Sequence, residues 1–305
     1  MNDSQSRTNA DAPRFVAGLL GRDILASRSP WLHETEARAQ GASLAYLLFD
    51  FAQHGWDESS LPRILDAAAT LGFAGVNVTH PFKQSVMKHL DALSPGAERV
   101  GAVNTVSFAD GRMTGFNTDV IGFEESVRRG LPDASLEHVI QYGAGGAGSA
   151  TAHALLSMGA RKLTLFDADE PRAAELAGEL TRRFGSATVE VGSDIERNAP
   201  FATGFVNATP IGMENHPGSA VPFTLLEPHQ WVAEIIYFPL ETKLLREARA
   251  RGCPTLDGSG MVVFQAAAAF EIFTGLQPDR GRMLDSFVNF IRRPAVAPAV
   301  TVSKS

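Results

Sequence analysis

Ten residues, Val139-Ile140-Gln141-Tyr142-Gly143-Ala144-Gly145-Gly146-Ala147-Gly148, constrain this chain more than any other stretch. An apolar run passes into G-x-G-x-x-G and then into an Ala-rich segment, the order strand, tight turn, helix. Gly143 suits the turn, Gly145 the close approach of a pyrophosphate, and Gly148 the packing of helix against strand. The phosphates would lie on N–H groups at a helix N-terminus. A second strand-like run, LTLFDADEPR, ends at Asp167, 24 residues after Gly143. That is the distance at which an acidic side chain bonds the adenosine ribose. Such a carboxylate accepts from both ribose hydroxyls and repels a 2′-phosphate, which favours NAD over NADP. Arg172, with Arg182 and Arg183, is the counter-evidence: it could serve a phosphate, pack flat on the adenine, or sit solvated at a helix start.

The rhythm around this motif predicts an α/β protein. Strands are expected at 138–142, 162–166, 188–191, 205–208, 232–237 and 254–256, with helices at 148–158 and 171–184. Alternation of this kind implies right-handed crossovers and a mostly parallel sheet. The first half mixes strands at 15–21, 44–51 and 73–79 with helices at 30–40 and 61–71, and a hairpin turns at Asp110-Gly111. Helices at 261–273 and 281–291 close the chain, while 1–13 and 294–305 read as flexible tails. A length of 305 residues suits two domains. The net charge of -7 shows no basic stripe and argues against nucleic acid. A single cysteine, Cys253, rules out an internal disulfide and is expected to be a small packed residue. No apolar run approaches 18 residues and the first residues lack an apolar signal core, so the expectation is a cytoplasmic protein with no membrane partner.

Four segments in the first half carry polar side chains where strands end: Ser27-Arg28-Ser29-Pro30, Asn77-Val78-Thr79-His80-Pro81-Phe82-Lys83, Gly101-Ala102-Val103-Asn104-Thr105 and Asn117-Thr118-Asp119. Strand ends border the ligand crevice of an open α/β sheet, so these groups fit a small polyhydroxylated ligand. Each also has a plainer reading. Ser29 could be an N-cap, Asn77 and Asn104 could satisfy loop backbone, and Asp119 could cap a helix beginning near Val120.

Taken in order, SRSP, NVTHPFK, GAVNT, NTD, GAGG, NATP and GSGMVVFQAAAAF resemble the shikimate and quinate dehydrogenase family over about residues 14–288. The resemblance implies an N-terminal α/β substrate-binding domain (14–119, completed by helices 261–291) and a Rossmann NAD-binding domain (120–260) flanking a cleft. It implies Lys83 and Asp119 as the catalytic pair. Ser27, Ser29, Asn77, Thr79, Asn104, Tyr237 and Gln265 are the implied substrate contacts. Cofactor contacts fall on Gly143, Ala144, Gly145, Gly146, Ala147, Gly148, Asp167, Arg172, Thr209, Pro210, Met213 and Gly258. The acidic loop after Phe166, in place of an Asn-Arg-Thr/Ser sequence, is similar to the NAD-using quinate/shikimate branch. Ser29, where some quinate-preferring relatives carry threonine, leaves the leading substrate open among shikimate, quinate and amino analogues. A homodimer is compatible with the sequence.

The implied reaction is reversible oxidation of a ring alcohol to a ketone, with Lys83 and Asp119 acting as one coupled unit for the proton. Metal chemistry finds no support: His33-Glu34-Thr35-Glu36 lacks the second histidine of H-E-x-x-H, and Asp167-x-Asp169 lacks the rest of a calcium loop. Two alternatives differ in class. A non-catalytic ligand sensor would keep the glycine loop without needing the lysine–carboxylate pair. A dehydrogenase of folate or amino-acid substrates would not need Ser27, Ser29 or NVTHPFK.

Overall fold

The computed structural model describes residues 12–185 and 187–292, so nearly all of both expected tails, and Ser186, lie outside the described residues. Two six-stranded sheets account for all the strands described. The first contains β1 (Arg14–Gly21), β2 (Ser43–Asp50), β3 (Gly75–Val78), β4 (Ala92–Leu93), β5 (Thr105–Ala109) and β6 (Arg112–Phe116), ordered β2-β1-β3-β5-β6-β4. β1 lies parallel between β2 and β3, and its run FVAGLLG is almost wholly buried, as expected for a parallel strand covered on both faces. β5 and β6 form the predicted hairpin. Helices α1 (Ser29–Ala39), α2 (Leu61–Thr70) and α3 (Pro95–Val100) complete this half.

The second sheet contains β7 (His138–Tyr142), β8 (Lys162–Phe166), β9 (Thr188–Val191), β10 (Gly204–Asn207), β11 (Trp231–Glu234) and β12 (Thr255–Leu256). Every pairing is parallel, in the order β12-β11-β10-β7-β8-β9. Counted from β7, this is the Rossmann order 3-2-1-4-5-6 read from the other edge, with its switch point between β7 and β10. The strand expected at 232–237 stops at Glu234, whose carboxylate accepts the Ile236 N–H and turns the chain.

Helix α4 (Thr118–Gly130) leads from the first sheet to the second. It is followed by α5 (Gly146–Ser157), α6 (Glu170–Phe184), α7 (Ile195–Asn198) and α8 (Lys243–Ala250). The chain then returns through α9 (Ser259–Thr274) and α10 (Arg280–Arg292). α4 and α9 pack along one another; a Cβ on Gly122 would meet Met261 O at 2.6 Å, so the two backbones touch there. α9 buries Phe270 and Phe273 with β1 and β2, while Met261 joins the core under β7 and β8. One helix therefore belongs to both hydrophobic cores. Among the described residues no helix is long and apolar enough to cross a membrane.

Candidate active site

A cleft of about 350 Å³ opens at the C-terminal ends of β1 and β3. It is lined by nine of the predicted residues: Ser27, Ser29, Asn77, Thr79, Lys83, Asn104, Asp119, Tyr237 and Gln265. Strand-end chemistry is thus brought together from positions spread over more than 230 residues.

Lys83 follows β3 and reaches across to Asp119 in the first turn of α4, with Nζ 2.6 Å from Oδ2. Both side chains are mostly but not wholly enclosed, so a ligand in the cleft can reach them. The helix is capped by Asn117, which accepts from Val120 N at 3.2 Å, so the plainer reading of Asp119 as the cap is wrong. Asp119 is left free to pair with the lysine. Ser29 is not an N-cap either: Arg28 occupies that position, and Ser29 N donates instead to Ser27 Oγ at 3.2 Å. The loop carrying the serines is tethered by Asp50, whose carboxylate accepts the N–H groups of Asp23 and Ile24 at 3.0 and 2.8 Å. Burial would raise the Asp50 carboxyl, but N–H donors from Ile24, Ala52, Asp23 and Gln53 hold it below its ordinary value.

The two asparagines tie neighbouring elements together. Asn104 Oδ1 accepts from Thr118 N at 2.7 Å and its Nδ2 donates to Thr118 Oγ1, which locks the β3–β5 region to the start of α4. Asn77 donates to Asn104 O and Thr105 Oγ1 and accepts from Tyr46. Gln265 on α9 accepts from Thr118 Oγ1 at 3.4 Å and so closes the cleft from the returning helix.

The glycine loop joins β7 to α5 in the second sheet. Gly143 has φ +99, and a Cβ there would meet Ala208 O at 2.6 Å, so only glycine suits the turn. A Cβ on Gly148 would lie 2.1 Å from Gly143 O, which explains the third glycine by packing of α5 on the loop. Side chains on Gly145 or Gly146 would meet nothing within 4 Å. Those two glycines answer no need of the protein's own packing, but they leave the approach to the α5 N-terminus clear. Its N-cap, Gly145, supplies no side-chain acceptor. This cradle fits the pyrophosphate of a dinucleotide.

Asp167 sits at the end of β8. Its Oδ2 accepts from Ala144 N at 2.6 Å and its Oδ1 from Arg172 at 2.6 Å. Burial opposes ionisation, but the Arg172 bond and the Asp169 and Ala144 N–H groups hold the carboxyl below its ordinary value. Arg172, half-exposed at the start of α6, is paired with Asp167. Thr209, Pro210 and Met213 lie in the loop after β10, across the switch point from Gly143. Gly258 has a packing explanation of its own, since a Cβ would meet Ile235 O at 2.3 Å.

Sequence reasoning missed Glu234. Buried at the end of β11, it accepts from Asn207 Nδ2 on both oxygens (2.9 and 3.1 Å) and from Thr242 Oγ1 at 3.1 Å. Asn207 Oδ1 in turn takes Thr209 N and Oγ1, so Glu234 holds the loop of Thr209–Met213. Burial pushes its carboxyl up to about 7, against the pull of these hydrogen bonds. A folded value above the unfolded one means that the proton is retained in the fold between about pH 4.3 and 7. The stability this adds is complete below that window and is lost as pH rises through 7. The melting temperature of Glu234→Gln relative to the wild type should therefore climb from pH 5 to pH 8, whatever constant offset the amide introduces. A difference that stays flat over that range would show that Glu234 does not titrate.

Fold and site together define a Rossmann-type dehydrogenase with a separate substrate lobe. Family profiles described as "Shikimate dehydrogenase substrate binding domain" and "Shikimate 5'-dehydrogenase C-terminal domain" match residues 19–106 and 258–286. The chain is 52% identical over 284 residues to a shikimate dehydrogenase (NADP(+)) of Streptomyces avermitilis, covering 92% of this chain and 98% of that protein. It is 46% identical to a quinate/shikimate dehydrogenase (NAD(+)) of Corynebacterium efficiens, covering 90% and 98%. Among solved structures, quinate dehydrogenase from Corynebacterium glutamicum in complex with NAD superposes with a TM-score of 0.87 at 44% identity, covering 91% of this chain and 99% of that one. The chain belongs to the shikimate dehydrogenase family.

Proposed function

We propose that this enzyme reversibly oxidises a ring hydroxyl of shikimate or quinate to the ketone, with NAD as the preferred hydride acceptor. The observation that carries the reading is the Lys83–Asp119 pair, 2.6 Å apart on the wall of a cleft otherwise lined by hydroxyls and amides. Ser27, Ser29, Asn77, Thr79, Asn104, Gln265 and Tyr237 surround the ring in this reading. Residues 14–119 with 261–291 form the substrate lobe, and 120–260 the dinucleotide lobe.

The bound dinucleotide supplies a nicotinamide carbon that takes the hydride. The chain handles the proton. As the C–H bond breaks and C=O forms, the hydroxyl proton passes to the Lys83–Asp119 pair, which returns it to the ketone oxygen in the reverse direction. Pairing keeps Lys83 directed into the cleft and lets the two groups share the change in charge. Asp167 and the glycine loop would hold the adenosine half, and Glu234 would set the loop beside the nicotinamide half.

NAD and NADP should be tested in turn with shikimate, quinate and their amino analogues, following reduced nicotinamide by absorbance. Reduction is expected with NAD and at least one of shikimate and quinate. No reduction with any pair would overturn the enzymatic reading and leave a ligand sensor on this fold.

A further inference from the structure

Tyr46, on β2, lines no part of the cleft surface and belongs to no motif, yet it is bonded to a residue of the cleft wall. It is 4% exposed, and its hydroxyl donates to Asn77 Oδ1 at 2.6 Å. Asn77 spends both amide protons elsewhere, on Asn104 O (3.2 Å) and Thr105 Oγ1 (2.9 Å). An amide carries two donors and one two-lone-pair acceptor, so Asn77 has only one acceptor position left for a ligand. It can take a proton from a substrate hydroxyl and can offer none to a carboxylate.

A bonded chain therefore runs from Tyr46 through Asn77 to Thr105. Burial pushes the phenol's ionisation far upward, so it stays a proton donor throughout the working range. Its ring is fixed by stacking on His33, with centroids 4.7 Å apart and planes 17° from parallel. His33 is itself fully buried, with no partner for either ring nitrogen among the described residues, and burial lowers its pKa to about 3. It is a neutral slab and cannot compete for the phenol's proton.

We infer that Tyr46 is a positioning residue for the ring substrate: its hydroxyl holds the Asn77 amide so that one acceptor position is left for a substrate hydroxyl. The inference rests on the dehydrogenase reading above. It assigns no direct substrate contact to Tyr46, which acts only through Asn77.

The test is Tyr46→Phe, which keeps the ring and its stack and removes one oxygen. KM for shikimate and quinate should rise about tenfold, the loss of roughly one hydrogen bond's net worth. The dinucleotide KM should not move, and kcat should change much less than the substrate KM. In a double-mutant cycle, Tyr46→Phe and Asn77→Ala should raise the substrate KM by less than the product of their separate effects, because they break one shared bond. A lowered melting temperature with unchanged substrate KM would mean that Tyr46 only supports the fold, and would overturn the inference. Wild-type enzyme that turns over neither substrate would instead overturn the dehydrogenase reading, and this inference with it.

A measurement on the unaltered protein keeps the inference testable if Tyr46→Phe does not fold. The Tyr46 hydroxyl proton, shared with Asn77, should give a slowly exchanging downfield proton resonance that shifts when shikimate is added. A resonance indifferent to saturating substrate would overturn the inference.

Discussion

Lys83→Ala should lower kcat by about 10²–10⁴-fold, the usual worth of a positioned proton-transfer group, while KM for the ring substrate moves far less. No other cation lines the cleft among the described residues, so no neighbour can take over the lysine's part. Two carboxylates remain there, Asp119 and Asp23. The variant leaves Asp119 mostly enclosed and without its 2.6 Å partner, which further disfavours a negative charge in the empty cleft. Asp119→Asn should cost turnover by a comparable factor, and the double variant should cost little more than either single one, since the two act as a unit. Steady-state kinetics at saturating dinucleotide checks all three. Turnover of Lys83→Ala within fivefold of the wild type would remove the lysine from the chemistry. Turnover that falls in the double variant by the product of the single effects would mean two independent groups.

Each member of that pair was legible in the sequence as a polar group beside a local signal, and their pairing was implied only by the family resemblance. Lys83 closes NVTHPFK after a strand, and Asp119 opens a helix in NTD. The glycine loop was legible for the same reason, and its neighbour Asp167 fell on schedule. What the sequence concealed are bonds between elements whose adjacency depends on topology. Tyr46 meets Asn77 across 31 residues only because β1 seats β2 on one side and β3 on the other. Asp50 reaches the Asp23–Ile24 loop through the same β1–β2 pairing. Glu234 looks like one more polar residue at a strand end until β11 is placed beside β10, where it meets Asn207. The alternative reading of two residues as caps does not hold. Ser29 and Asp119 both have the chemistry of an N-cap, and which residue caps is decided by where the first helical hydrogen bond forms, here one and two residues before them, at Arg28 and Asn117.

Asp167→Ser should lower kcat/KM with NAD by about 10–100-fold and raise it with NADP, enough to bring the two cofactors close to parity. The NAD loss follows from removing a carboxylate that would accept from ribose hydroxyls, each charge-assisted bond being worth roughly 1.5–3 kcal/mol. The NADP gain has two sources. A negative charge that would face the 2′-phosphate disappears, and Arg172, now tied to Asp167 Oδ1 at 2.6 Å, is released to meet that phosphate. Part of the NAD loss will come from the loop, because Asp167 also accepts from Ala144 N at 2.6 Å and a serine hydroxyl reaches less far. Asp167→Asn separates the two effects: its amide oxygen can keep the Ala144 bond while the charge is gone. If charge governs the choice, Asp167→Asn should recover NADP use and keep more NAD use than Asp167→Ser. The NADP gain should also fall with added salt, as an Arg172–phosphate contact is screened. Relatives of both cofactor names match this chain at similar identity, so overall likeness does not decide the preference. An unchanged NAD-to-NADP ratio in both variants would take that decision away from Asp167.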